Sequence, residues 1–454
     1  MRPAIVAEKA GIPAVVVAAT SFLPLVRIVS KAEGVRGLRA AEYRGTFAID
    51  SEAVMRSNFE KLTFGRIVEA LTTPGRESGT EGATASMSIP TIEGTDEEIR
   101  ELFQKDNLTD GLPIVLPTPE RIEQFLRYTD YAPDEEIAVL SPANLIATPS
   151  IIAANAVMAG CVPHHMPILI AAVQAIADAD YDLEQIGTTA GLNPFLLING
   201  PIVKQLGIQH GVGLVSRWPN PVIGRAFGLI IRNIAGFWPG GHQMGTFGYI
   251  MPFVLAEDEE GSPWEPFNVT RGFSKNVSTV TAGGTLNWGG QAFPSGTDPE
   301  GHLRILCREV VKQVYAPLQT EFGKDAMCTV IINPSVARGI ASGGYSKIDA
   351  EKYLYENSRV TIGQITFESQ YGYPGGGSHT IRDLAANRGI IMQEWADLED
   401  KPETTVPIMG FPGLIHIVVT GDPYRNKAMV FYTVYNRPIT REIGLPADWD
   451  QLTQ

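Results

Sequence analysis

Seven histidines and three cysteines are the side chains of this 454-residue sequence best able to move protons, hold a metal or attack an electrophile. One segment, NAVMAGCVPHHMPILIAAV, gathers three of them. Gly160 reads there as a helix C-cap, Pro163 prevents continuation, and Met166 and Pro167 begin the next helix. Cys161, His164 and His165 therefore fall in a tight turn, with the histidines beside a helix N-terminus. Backbone N–H groups at such an end favour an anion and lower a nearby thiol pKa, which suits a nucleophile or an acid/base pair. The same three residues are the candidate metal ligands, although adjacent histidines seldom both reach one ion. The plainer reading is a buried cysteine in a helix–helix turn whose histidines bond to backbone.

Five further segments offer chemistry. In GTTAGLNPFLLINGPIVKQLGI a buried strand ends on Asn199, followed by Gly-Pro, and polar groups at strand ends often line clefts. GFWPGGHQMGTFGYI sets Trp238 and His242 among glycines, as a pocket wall with a titratable group. In EDEEGSPWEPFNV the charge run from Glu257 reads as a solvated face. Glu265, between Trp264 and Pro266, is the carboxylate expected to be partly buried and shifted upward as a catalytic acid or base. YGYPGGGSHTIRDLAANRG puts Gly375, Gly376, Gly377, Ser378 and His379 before a helix carrying Arg382, an arrangement that resembles an anion cradle. It lacks the Gly-Lys-Ser/Thr of a P-loop and does not fit G-x-G-x-x-G. Asp422 and Arg425, in the turn of LIHIVVTGDPYRNKAMVF, are cleft candidates that a surface hairpin would explain equally well.

The elements that must position these residues alternate between helix and strand. Helices are expected at 2–10, 22–32, 51–71, 150–159, 166–179, 221–234, 299–322 and 347–358. Buried strands are expected at 14–19, 195–198, 249–255, 328–332, 415–419 and 429–432. This interleaving indicates an α/β fold with parallel-sheet character. Residues 72–94, rich in Gly, Ser, Thr and Pro, read as a flexible linker between a short α/β segment (1–71) and a larger α/β or α+β region (95–454) assigned to substrate and catalysis. No fixed-period repeat stands out.

Bulk composition narrows the partners. A net charge of −14 argues against nucleic acid or an anionic membrane. Three scattered cysteines make no disulfide framework, which fits a reducing cytoplasm. The apolar run 12–29 could imitate a secretory segment, but Glu8, Pro13 and Pro24 favour a buried strand followed by a helix. No other run is long enough to span a bilayer.

The segments AIVAEKAGIPAVVVAATSF, LTDGLPIVLPTPERI, NAVMAGCVPHHMPILIAAVQAI, GSPWEPFNVTRGFS, NPSVARGIASGGYSKIDAEKYLYENSRV and IHIVVTGD, taken in order, resemble the UGSC family. Its members are named for a selenocysteine-Gly-Ser-Cys motif. The chain is also distantly similar to the selenoprotein B subunits of glycine and betaine reductases. The resemblance implies thiol or selenol redox chemistry, with the redox motif in a loop just before the helix equivalent to Arg2–Ala10. This sequence has no cysteine before Cys161. Three explanations compete: a start placed downstream of the motif, a separate subunit carrying it, or its loss.

The expected function is an enzyme, or enzyme subunit, acting on a small polar and anionic molecule. Cys161 would serve as nucleophile, with His164, His165, His242 or Glu265 as acid/base. Asn199, Trp238, the Gly375–His379 loop and Arg382 would bind substrate. The alternatives are a metal-dependent hydrolase or lyase using Cys161 and the histidines, and a non-catalytic subunit. A homo- or hetero-oligomer is expected, because a short α/β segment leaves a sheet edge to be covered.

Overall fold

The computed structural model describes residues 2–453 except 24, 25, 27–29, 31–34, 36, 46, 48, 49, 74–91, 240, 249, 250, 296, 297, 317–326, 373–379, 389–392, 434 and 435. Most of the expected helix 22–32 and of the expected linker lies outside the described residues. At the N-terminus the helix Arg2–Lys9 leads into β1 (Val16–Ala19), which pairs in parallel with β2 (Ala40–Tyr43). Ile5, Val16, Ala18, Val26, Val35 and Leu38 form a small core beneath them. The apolar run that imitates a secretory segment is thus in part a buried strand. The sequence reading missed β2 because its AAEY stretch carries a charge. Glu42 is held there by Thr20 and Arg66, which accounts for its burial.

The larger region carries two short antiparallel pairs, β3 (Ala138–Leu140) with β4 (Leu145–Ala147) and β9 (Arg359–Thr361) with β10 (Thr405–Pro407), and is built on two larger sheets set face to face. The first has the order β13-β7-β5-β6: β5 (Asn193–Asn199) and β6 (Phe253–Ala256) run parallel, while β7 (Thr279–Thr285) is antiparallel to both β5 and β13 (Ile439–Glu442). The second has the order β11-β8-β12, with β8 (Met327–Ile332) parallel to β11 (Ile415–Val419) and antiparallel to β12 (Ala428–Thr433). Period-two alternation sorts the side chains. Leu196, Ile198, Val254 and Ala256 face a helical layer that includes Pro149–Ala159, Met166–Ile176 and Asn220–Asn233. Val330, Ile332, Ile417 and Val419 face a second layer with Pro299–Gln313 and Lys347–Asn357. Between the sheets, Phe195, Leu197, Phe253 and Leu255 meet Ile331, Val418 and Phe431.

These two sheets are copies in topology. Ile198 pairs with Ala256 and Val280 in one, and Ile332 pairs with Val419 and Ala428 in the other. Asn199 in the first sheet therefore corresponds to Asn333 in the second, Glu257 to Thr420, Glu259 to Asp422 and Thr279 to Lys427. No fixed period betrays this in the sequence, because the connections within the two copies differ in length. The copies touch reciprocally: Glu257 Oε1 accepts from the Val419 N–H at 3.4 Å, and Thr420 Oγ1 donates to the Ala256 carbonyl at 2.6 Å.

The buried helices follow from composition. Pro149–Ala159 and Met166–Ile176 are apolar on nearly every face, which only a fully covered helix tolerates. Pro149 and Thr148 start the first of them. Gly160, at φ 85°, ends it, with Cys161 N–H reaching back to the Ala156 carbonyl at 3.0 Å. The helix from Pro299 ends at Gln313, short of its expected end, where Val314 adopts extended backbone. Among the described residues no helix is long and apolar enough to cross a membrane.

Candidate functional site

The carboxyl ends of β5 and β6 bring together groups that lie far apart in the chain. β5 ends on buried Asn199, and Gly200 turns the chain at φ 90°. Asn199 Nδ2 donates to Glu257 Oε2 at 2.7 Å and to Glu259 Oε1 at 3.1 Å, and the Gly200 N–H donates to Glu259 Oε1 at 2.7 Å. Glu257 also accepts from the Phe267 N–H at 2.6 Å and lies 3.6 Å from the Lys347 ammonium. Surrounded by donors on each side, Glu257 is a structural carboxylate that ties the two copies together.

The next residue is placed for chemistry. Asp258 is fixed by its N–H to the Val419 carbonyl at 2.8 Å and by the Gly261 N–H donating to Oδ1 at 2.9 Å. The same Oδ1 lies 3.6 Å from Nδ1 of His210, whose side chain is half exposed. A ring nitrogen set against a buried carboxylate is the arrangement that orients an imidazole for general acid/base work and leaves Nε2 for a reacting group. Such contacts commonly shorten when a ligand binds. The loop carrying His210 is fastened at both sides. Asn220 accepts from the Gln209 N–H at 2.8 Å and donates to the Gln209 carbonyl at 2.9 Å. The His210 carbonyl accepts from the Gly421 N–H at 2.7 Å, and Thr420 Oγ1, whose proton goes to the Ala256 carbonyl, lies 3.2 Å from it. His210 and Asp258 line a cleft of about 790 Å³ with Glu259, Lys204 and Lys275. At Gly211 it meets a second cleft of about 440 Å³, over the ends of β8 and β11.

The residues singled out from sequence are spread over the molecule. Asn199 alone belongs to this strand end, and it is buried against carboxylates. Asp422 and Arg425 line the second cleft. Cys161 sits where expected, in the turn after Gly160, but its thiol is enclosed: burial raises its pKa strongly, and its Sγ–H donates to the Val222 carbonyl at 3.3 Å. Burial likewise raises Cys307 to about 11 and Cys328 further still. The dipole argument fails at Cys161 because desolvation outweighs a helix end for a fully covered thiol.

His165 is buried and lowered to about 3, first by desolvation and then by neighbouring His164, so it stays neutral; its Nδ1 accepts from the Val162 N–H at 3.4 Å. The half-buried His164 is lowered by desolvation as well. His242 is buried with Nδ1 3.0 Å from the Gly236 carbonyl, and half-buried Trp238 packs 6.3 Å from it. Among the described residues no three His, Cys, Asp or Glu side chains come together to hold a metal ion.

Two expectations about carboxylates are reversed. Glu265 is exposed, and its backbone carbonyl is what Lys347 engages, at 3.2 Å. The charge run is not a solvated face: Glu257 and Asp258 are buried, because the extended backbone leaving β6 turns them toward Asn199 and His210. Arg382 is exposed and paired with Asp400 and, at 3.5 Å, Glu399, so its charge is already matched. The loop Gly375, Gly376, Gly377, Ser378 and His379 lies outside the described residues.

Neither a protein-family model, nor a curated protein, nor a solved structure matches this chain.

Proposed function

We propose that the chain is an enzyme, or the catalytic part of one, that moves a proton at a small polar molecule held where β5 and β6 end. The observation that carries this reading is the His210–Asp258 pair at the mouth of a cleft on the carboxyl ends of parallel strands. Asp258 orients the imidazole and balances its charge when protonated, and His210 accepts and returns the proton. The resemblance to UGSC proteins supports placing this step within thiol or selenol redox chemistry. The sulfur or selenium would then come from a group other than the three buried cysteines of this chain.

The test is solvent-deuterium incorporation, followed by proton NMR, into a panel of amino, hydroxy and aromatic acids. The native chain is expected to exchange at least one of them. His210→Gln is expected to lower that rate about 100-fold or more, and Asp258→Asn about tenfold or more. Exchange that survives His210→Gln unchanged, or a native chain that exchanges none of the panel, overturns the reading.

A second reading, that the chain works inside an oligomer, is favoured by the N-terminal segment. A two-stranded sheet has marginal stability alone. Here Val6, Ile12, Phe64 and Val68 are all strongly exposed beside it. Light scattering on the purified chain is expected to give at least a dimer mass, and a monomer at tens of micromolar would overturn this.

A further inference from the structure

The second cleft differs from the first in charge and in floor. At positions equivalent by strand register, the first copy carries Glu257 and Thr279 where the second carries Thr420 and Lys427. The second cleft is lined by two cations, Arg425 and Lys427, against one carboxylate, Asp422, which lies 3.6 Å from Arg425. Lys427 Nζ sits 3.3 Å above the Phe293 ring, held by an aromatic face rather than by an acid. The floor is the rim of the inter-sheet core. Trp288 stacks on Phe431 with centroids 5.6 Å apart and planes 29° apart, and it meets Phe253 edge-on at 4.8 Å. Although wedged by both rings, Trp288 is 45% exposed, and it lines the cleft with Leu255 and Met429.

A flat aromatic surface half open to a concave space, under a net positive rim, is complementary to a flat apolar body that ends in an anion. We propose that this cleft binds a planar aromatic molecule carrying one carboxylate or phosphate group, its ring on Trp288 and its anion between Arg425 and Lys427. The bound molecule would extend past Gly211, shared by both clefts, toward His210; only this direction rests on the proton-transfer reading. It also explains how an enzyme whose first cleft is acidic could act on an anion: the charge is held in the other copy.

The full chain is to be titrated with phenylacetate, phenyl phosphate, acetate and benzyl alcohol, by calorimetry and tryptophan fluorescence. An aromatic anion is expected to bind at least about tenfold more tightly than acetate or benzyl alcohol. The tighter of the two aromatic anions identifies the headgroup as carboxylate or phosphate. Replacing both cations (Arg425→Met with Lys427→Met) is expected to weaken it about tenfold or more with unchanged circular dichroism. Trp288→Ala should weaken it similarly, whereas Trp288→Phe should keep the affinity and lose the fluorescence change. Aromatic anions that bind no better than benzyl alcohol, or that bind the double methionine variant undiminished, overturn the proposal. His210→Gln is expected to leave this affinity within about twofold while lowering deuterium exchange about 100-fold or more, so failure of the binding proposal and failure of the proton-transfer reading give different results.

Discussion

Lys347→Met is expected to destabilise the folded chain by about 3–5 kcal/mol, the range seen when one partner of a buried ion pair is removed. Lys347 opens the helix Lys347–Asn357 of the second copy, and its ammonium lies 3.6 Å from Glu257 of the first, with both side chains almost wholly out of solvent. Methionine matches the length of the lysine stem but leaves the Glu257 carboxylate charged and enclosed. The N–H donors of Phe267 and Val419 and the amide of Asn199 remain, yet none brings a full positive charge. Adding Glu257→Gln to Lys347→Met is expected to recover part of the loss, because a neutral amide needs no counter-ion. Urea denaturation of the native chain, the two single variants and the double variant measures both quantities. A single-variant loss below about 1 kcal/mol would show that the pair does not hold the copies together.

The second large effect is expected at Gly200. Its φ of 90° strains any residue with a side chain, and an added Cβ would lie 2.5 Å from the Val277 carbonyl oxygen and 2.7 Å from Ser278 Cα. Backbone cannot swing aside as a flexible side chain would, so Gly200→Ala should cost about 3 kcal/mol. It should also disturb the Gly200 N–H bond that positions Glu259 beside the His210 cleft. Gly207 provides the control: its φ is also positive, at 62°, but an added Cβ meets nothing within 4 Å. Gly207→Ala is expected to cost only about 1 kcal/mol, from strain alone. Equal losses at the two positions, by the same urea measurement, would refute the close-approach argument.

Most of the fold was legible where one physical signal dominates. The all-round apolar helices at Pro149–Ala159 and Met166–Ile176, and strands such as β5 and β11, could be read because full burial demands an unbroken apolar run. Chain punctuation was legible too, as at Gly160 and Pro163. The site was much less so. Cys161 and its histidines drew attention through chemical type, and their enclosure, which shifts the pKa values of Cys161 and His165 away from neutrality, is a tertiary property. His210 is a lone histidine in GIQHGVG, and no local pattern distinguishes it; Asp258 looked like one of four solvated acids. One signal was available. Asn199-Gly200-Pro201 and Asn333-Pro334 both close a buried strand and open a helix, and comparing the two would have pointed to the paired strand ends.

The last strand of the chain gives the architecture a temporal dimension. β13 (Ile439–Glu442) does not stay with the second sheet that precedes it but returns to pair with β7 of the first, and Trp449 follows it into the first helical core. Tyr128 Oη then donates to the Leu452 carbonyl at 2.9 Å, joining early and late residues of the larger region. On the ribosome, roughly 150 residues must be added after β7 before its partner exists, on the order of 10 seconds at bacterial-type elongation rates of about 5–20 residues per second. For that interval β7 is an open edge next to the strand that carries Asn199, the kind of template on which nascent chains pair wrongly. The first sheet is therefore completed last, by residues made long after its other three strands.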